Sequence, residues 1–163
     1  MFNNVEEFIT EWKMEEASTI KLLNAMTDES LDQSIGEDFS SLGELAWHIT
    51  TAIKAIISQS GLQFEGSMNK EDMPGTAKEL AEKYAEVSNA MIEAAQAEWK
   101  ESDLKQIINA FGFLELPIHA LLRMAIQHQT HHRGQMTVLM RQAGLVVPGM
   151  YGPSKEEWAA MRG

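Results

Sequence analysis

The sequence predicts an all-α protein, a four-helix bundle with a long crossover after the second helix and a short C-terminal helix. Four long segments place apolar residues at the three- and four-residue spacing of an amphipathic helix. No run of β-branched residues alternates as a half-buried strand would. With 163 residues the chain fits one domain with one sizeable core, so residues 1–163 are predicted to form a single domain. Four amphipathic helices bury their apolar stripes by packing on one another.

The first two predicted helices have clear apolar sides. The first runs from about Val5 to Met26. The second begins at the sequence SLGE, where the Ser41 hydroxyl and the Glu44 carboxylate can form a capping box that satisfies free N–H groups. Its apolar stripe stops near Gly61, a residue type that commonly ends a helix.

The third and fourth helices are predicted from similar signals. The third begins with a capping box from Thr76 to Glu79. The fourth starts at Pro117, because proline suits the first position of a helix. It is predicted to run to Ala143, with Gly144 placed to terminate it.

The remaining segments connect these helices. GLQFEGSMNKEDMPG is predicted to be the long crossover loop. ESDLKQIINAFGFLELP leaves two alternatives open, a turn with extended structure or a turn with a short helix. LVVPGMYGP contains too much proline and glycine for regular structure, and residues 154–161 then form a short helix capped by Ser154 and Glu157.

Composition excludes several classes of function. The chain has 24 acidic and 13 basic residues and a net charge of −11, which repels phosphate backbones and argues against nucleic-acid binding. Cysteine is absent, which excludes disulfides, a thiolate nucleophile and cysteine-bound zinc. The N-terminal stretch is acidic and amphipathic, unlike a signal peptide, and no segment approaches the ~20 apolar residues that span a bilayer. We therefore expect a soluble cytoplasmic protein that binds neither nucleic acid nor membrane.

The sequence QHQTHHRGQM holds three of the five histidines in the chain. His128 and His132 are four residues apart, so they lie about 40° apart on one face of the fourth helix. Leu121 and Leu139 share that face, which predicts that the pair lies in the middle of the inward stripe. Buried imidazoles need partners. The pair is either part of a metal site or two core histidines hydrogen-bonded to backbone or carboxylate groups.

The other three histidines differ in what they can contribute. His48 lies on the flank of the second helix, in line with Ala52 and Ala55, whose small side chains leave room for an ion and a substrate. It is either a third metal ligand or an ordinary boundary residue. His131 is about 60° from the centre of the pair, near the rim of such a site. His119 is about 180° away and is predicted to face solvent or a partner subunit.

Three segments, LAWHITTA, HQTHHRGQM and LMRQAGLVVPGMYGP, resemble the DinB/YfiT-like family of proposed metalloenzymes. This family is distinct from the DNA polymerase that shares the DinB name. The resemblance covers nearly the whole chain. It implies a four-helix bundle that carries a divalent ion on three histidines, which correspond here to His48, His128 and His132, with His131 outside the ligand set. It also suggests a homodimer.

The resemblance implies a metal-dependent enzyme, since relatives include thiol S-transferases that use bacillithiol or mycothiol and a mycothiol-dependent isomerase. Three neutral imidazoles leave the double charge of an ion intact, which makes it a strong Lewis acid. Our leading hypothesis is the transfer of a low-molecular-weight thiol to an electrophile. Alternatives are a metal-dependent hydrolase, a non-catalytic, stress-related metal-binding protein and a structural cluster without an ion. Zinc is the expected ion, and nickel, iron or manganese would also accept imidazoles.

Candidate substrate-binding residues are Glu16, Gln135 and Tyr151. Glu16 lies within the apolar stripe of the first helix, and it either faces the metal cavity or reaches solvent from the flank. Gln135 shares the ligand face and is expected to line the pocket or to bond the free nitrogen of a ligand. Tyr151 either closes the cavity mouth or packs. Arg133 points about 100° from His132 and is predicted to form an ion pair between helices or subunits.

The predicted homodimer also has a source in the sequence. Three apolar residues of the fourth helix, Ile118, Ile126 and Met140, are left over from the predicted inward stripe and are candidates for an interface.

Overall fold

The structure is a computed structural model that describes residues 1–162. Only Gly163 of the predicted domain lies outside this range. Five helices and one β-hairpin make up the fold. They are α1 (Val5–Leu23), α2 (Leu42–Ile57), α3 (Ala77–Glu98), β1 (Ile107–Ala110), β2 (Leu114–Pro117), α4 (Ile118–Gln142) and α5 (Lys155–Arg162).

The four long helices pack around one core. Both α2 and α1 contact α3 and α4, so each long helix has two helical neighbours. Fully buried residues from the four helices, such as Phe8, Ile49, Leu80 and Leu121, belong to a single apolar cluster. The predicted mostly helical fold is therefore confirmed. Within residues 1–162 no helix has both the length and the apolar character needed to cross a bilayer.

The helix ends follow the predicted capping signals closely. At α2 the Ser41 hydroxyl accepts from the N–H of Glu44 at 3.3 Å, and the Glu44 carboxylate accepts from the N–H of Ser41 at 3.0 Å. At α5 the same exchange joins Ser154 and Glu157. Gly144, with φ of 78°, follows the end of α4 as predicted. These ends could be predicted because each depends on residues within one turn.

Two other ends differ in detail. At α3 the Thr76 hydroxyl caps the N–H of Glu79, but the Glu79 carboxylate accepts from that hydroxyl rather than from the backbone. The first helix ends at Leu23 rather than Met26. The N–H groups of Ala25 and Met26 bond to carbonyls three residues back, so the chain leaves α1 through tighter turns.

The β-hairpin departs from the all-α prediction. Strands β1 and β2 are antiparallel, with Ala110 opposite Leu114. The connection uses Phe111, with φ of 54°, and Gly112, with φ of 78°. Of the two predicted alternatives for residues 101–117, the extended one is confirmed by these strands, and Asp103–Lys105 before them form one short 3-10 helix. Each strand has only four residues and Ile107 is exposed, so alternation was too short to recognise.

Helix α4 is rotated relative to the prediction. Its buried side includes Gln129, Arg133 and Met136, whereas His128 and His132 are half-buried at the edge of that side. The prediction that the pair lies in the middle of the inward stripe was therefore wrong. The angle was wrong because the stripe was centred on His128 from Leu121 and Leu139, whereas the buried side also holds two polar residues, Gln129 and Arg133, which are 2% and 1% exposed.

The same rotation changes the role of three apolar residues. Ile118, Ile126 and Met140 are at most 4% exposed and belong to the core of the chain itself. They are not left over for an interface, so this basis for a predicted dimer was wrong.

Candidate metal centre

Three histidines from two helices meet at one place. His48 comes from α2, and His128 and His132 come from successive turns of α4, which packs against α2. The Nε2 atom of His48 lies 3.2 Å from Nε2 of His128 and 3.1 Å from Nε2 of His132. His48 is exposed and the other two are half-buried, so the cluster is accessible from solvent.

The separations fit a single ion. A zinc-sized ion about 2.1 Å from each nitrogen requires nitrogen atoms roughly 3.0 to 3.4 Å apart, depending on the coordination geometry. The measured distances lie in that range. Three protein ligands leave at least one coordination position for another group, which is typical of catalytic rather than structural zinc sites.

A hydrogen bond orients one of these imidazoles. Nδ1 of His132 lies 2.7 Å from Oε1 of Gln135, one turn further along α4. An amide oxygen only accepts, so the neutral ring carries its proton on Nδ1 and keeps the lone pair of Nε2 free. Gln135 therefore bonds the second nitrogen of a candidate ligand, one of the two positions predicted for it.

The three imidazoles favour their neutral forms. Burial, followed by the charges of His132, His48 and His131, lowers the pKa of His128 to about 4. Burial and the neighbouring His132 lower the pKa of His48. Burial also lowers the pKa of His132, partly offset by the bond to Gln135. Neutral imidazoles are the form that binds metal ions, so the cluster is prepared for a cation near neutral pH.

Two cavities meet at His48. One of about 490 Å³ is lined by His48, His128 and mainly apolar side chains. The other, of about 270 Å³, has a mixed lining, in which the charged Glu44 and Lys70 stand beside Trp47, Met68 and Met73. His48, Thr51 and Met68 line both.

A larger cavity of about 1000 Å³ lies along α1, but none of the three histidines lines it. Its walls include Glu6, Glu7, Glu11 and Glu101. The cavities beside His48 are the candidate functional ones because they combine a concave shape with the converging histidines.

The remaining predicted residues have different positions. Glu16 is half-buried on α1. It does not line either of the two cavities beside His48. His131 is exposed, with its ring centroid 4.9 Å from that of His132. His119 is half-buried and its Nδ1 is enclosed, so this atom does not face solvent as predicted.

A buried polar network lies on the inner side of α4. Arg133 forms an ion pair with Glu15 of α1, so the predicted inter-helix pair is confirmed. Its Nη1 also donates to the Glu15 carbonyl at 2.7 Å and to the Thr19 hydroxyl at 3.1 Å. The Tyr151 hydroxyl donates to Glu15 at 2.7 Å and accepts from Arg133 at 2.5 Å. Tyr151 thus contacts this network. It does not line either cavity beside His48, so of its two predicted roles the structure favours packing over closing the cavity mouth.

Sequence reasoning selected Glu16 and missed Glu15, the buried carboxylate. A signal was present, because Glu15 continues the alternating four- and three-residue spacing of Phe8, Trp12, Thr19 and Leu22. A charged residue in a core position requires a charged partner, and Arg133 was the available one.

Comparisons with known proteins agree with the predicted resemblance. The DinB family profile matches residues 1–163. The chain is 46% identical to the uncharacterised protein YrdA of Bacillus subtilis (strain 168) over 159 residues, which are 98% of this chain and 95% of YrdA. It is 26% identical to YjoA of the same organism over 128 residues, covering 77% of this chain and 82% of YjoA.

Two solved structures have similar folds. A DinB-like protein from Bacillus cereus ATCC 10987 has a TM-score of 0.88 and 48% identity, and the match covers 93% of this chain and all of that one. The YjoA structure from Bacillus subtilis has a TM-score of 0.69 and 20% identity, over 88% of this chain and 96% of that one. The likeness to YjoA at this identity is one of fold.

Proposed function

Since the chain belongs to the DinB family, we propose that it is a metal-dependent enzyme that transfers a low-molecular-weight thiol to an electrophile. The observation that carries the proposal is the convergence of three Nε2 atoms in a cluster whose exposed member, His48, lines two cavities. The metal ligands are His48, His128 and His132, and the ion is zinc, with nickel, iron or manganese as alternatives.

Transfer between two organic molecules suits the shape of this site better than hydrolysis. Hydrolysis needs room for one organic substrate, whereas two cavities of different polarity share His48, Thr51 and Met68. In the transfer the thiol releases its proton to solvent, its sulfur bonds to the electrophilic carbon, and the leaving group departs with the electron pair of the broken bond. A divalent ion on three neutral imidazoles supplies Lewis acidity, which favours the deprotonated form of a thiol.

The chain's own groups have supporting roles. The three imidazoles hold the ion, and the Gln135 amide keeps the proton of His132 on Nδ1. The absence of cysteine from the chain means that the attacking sulfur belongs to the substrate.

Elemental analysis tests the metal site. The purified, untagged protein is expected to contain close to one ion per chain, and His48→Ala, His128→Ala and His132→Ala are each expected to lose it. His131→Ala is the matched control, because this exposed neighbour is outside the ligand set and its loss should leave the metal content unchanged. A parent protein that takes up no zinc, nickel or manganese on reconstitution would refute the proposal.

The metal-loaded protein is then assayed with electrophiles in the presence and absence of low-molecular-weight thiols. Turnover that depends on the added thiol supports transfer. Turnover without a thiol would instead identify a hydrolase, and a metal-bound protein with neither activity would identify the non-catalytic alternative.

A further inference from the structure

We infer that the 490 Å³ cavity beside His48 and His128 binds an uncharged, apolar part of the electrophile. The substrate class is thus that of compounds in which the reacting carbon is attached to an apolar alkyl or aryl group. This inference rests on the proposed function and specifies the second substrate of that site.

The walls of the cavity carry the first argument. They are formed mainly by apolar side chains, those of Ala52, Ala55, Ile56, Met68, Phe111 and Met124. The polar lining groups are Thr51 and the two imidazoles, and among the described residues that line it none is acidic, lysine or arginine. A charged group placed there would lose its hydration without gaining a partner, whereas an apolar group gains about 25 cal/mol for each Å² removed from water.

The volume also suits a small organic molecule. Small-molecule sites in proteins are concave and typically occupy about 300–1,000 Å³, and this cavity has about 490 Å³. The neighbouring 270 Å³ cavity has a different character, because Glu44 and Lys70 form an ion pair of 2.7 Å at its wall. The two cavities therefore favour different kinds of molecule.

The hairpin gives an independent argument. Phe111 lines the apolar cavity although its φ of 54° lies in the left-handed region, which non-glycine residues adopt at a cost. Its N–H donates to Oε1 of Gln59 at 2.8 Å, which fixes the hairpin to the turn after α2. The chain thus holds an aromatic side chain at the cavity in an unfavourable backbone conformation. Such conformations are concentrated at ligand sites.

The test uses the neutral fluorescent probe N-phenyl-1-naphthylamine and the full-length protein as purified. We expect saturable binding of one probe per chain, seen as an increase in fluorescence. Ala55→Trp, which fills the cavity, should weaken binding at least tenfold. Ala97→Trp places the same side chain on the exposed face of α3 and should leave binding unchanged.

A series of n-alkanols provides the second measurement. Each added CH₂ that enters an apolar site contributes about 0.8 kcal/mol, so displacement of the probe should strengthen about fourfold per CH₂ until the cavity is filled. If Ala55→Trp does not fold, Phe111→Ser replaces it, and probe binding should weaken several-fold. Equal probe binding by the parent and the folded cavity variant, or displacement that is independent of chain length, would overturn the inference.

Metal content separates this inference from the proposed function. Ala55→Trp should retain the ion of the parent, as measured by elemental analysis. Probe binding with no metal in any protein would refute the proposed enzyme and leave the apolar cavity supported. If the metal content is normal but probe binding is insensitive to Ala55→Trp, the metal site is supported and the apolar cavity is refuted.

Discussion

Gln135 determines which nitrogen of His132 is available to a metal. Its amide oxygen, 2.7 Å from Nδ1, keeps the proton on that side of the ring. Groups that bond the second nitrogen of a histidine ligand commonly change metal affinity by one to two orders of magnitude. A single exposed amide thus contributes to the site without contacting the ion.

Replacing Gln135 by Leu should weaken zinc binding by about 10- to 100-fold, because the hydrogen bond to Nδ1 is lost. Gln135→Glu keeps an acceptor and should bind zinc at least as tightly as the parent. The measurement is a titration of metal-free protein with zinc in competition with a chelating indicator. Gln142→Leu, at the exposed end of α4, is the control. Equal affinities for the parent and Gln135→Leu would show that the bond has no effect on the site.

The histidines also make the metal-free protein sensitive to acid. The pKa of His128 is about 4 in the folded protein, against an ordinary value of 6.5. Between these values the unfolded chain binds a proton that the folded chain does not, so the contribution to stability is complete above pH 6.5 and decreases as the pH falls toward 4. Urea unfolding at successive pH values should show this decrease. His128→Asn should show a shallower dependence, and parallel curves would contradict the assignment.

Helix α2 presents His48 from a well-capped start. The box formed by Ser41 and Glu44 satisfies two N–H groups at the end of α2 nearer His48. This part of the fold could be predicted because all the atoms involved lie within one helical turn. The rotation of α4 could not be predicted in this way, because it depends on the ion pair between Arg133 and Glu15, which lies on another helix and 118 positions away in the sequence.

Ser41→Ala should lower the free energy of unfolding by about 1 kcal/mol, whereas Ser41→Gly should cost only a few tenths, since glycine is tolerated at this position. Chemical denaturation of the metal-free proteins measures both values. Thr76→Ala removes the cap of α3, which carries no histidine, and should cost a similar amount. If zinc affinity falls in Ser41→Ala while the protein remains folded, the cap has a more direct role in placing His48.

The network around the buried Arg133 joins three separate parts of the molecule. It connects α1 through Glu15, α4 through Arg133 and Thr130, and the C-terminal segment through Tyr151. Replacing both members of such a pair by apolar residues often costs little, but removing one leaves a buried charge without a partner.

Arg133→Met should therefore destabilise the protein by about 3–5 kcal/mol, and the double variant Glu15→Leu/Arg133→Met by much less than the sum of the single changes. A double-mutant cycle of unfolding free energies gives the interaction directly. The exposed Lys78–Glu82 pair on α3 is the comparison, because Lys78→Met should change stability by less than about 0.5 kcal/mol. Additive effects at Arg133 and Glu15 would show that the pair does not interact in solution.

At this scale the sequence predicted the three clustered histidines better than their surroundings. The spacing of His128 and His132 is local, and His48, the one histidine left as a candidate third ligand, was supported by the resemblance. The two cavities were not predicted, since they depend on Met68 in the crossover and Phe111 in the hairpin, which approach His48 only in the folded chain. Residues that line a site only through contacts with distant parts of the chain produce little recognisable pattern in the sequence around them.

The positions of the three histidines along the chain have a consequence for folding. His48 and His128 are 80 positions apart, and the chain has no cysteine. An ion shared by α2 and α4 would act as a removable cross-link, closing a loop of a size for which a disulfide contributes about 4 kcal/mol in the chain-entropy model. A disulfide persists once formed, whereas this link would exchange with the surrounding pool of free ion. The resistance of the protein to unfolding, and hence its lifetime, would then vary with the metal supply around it.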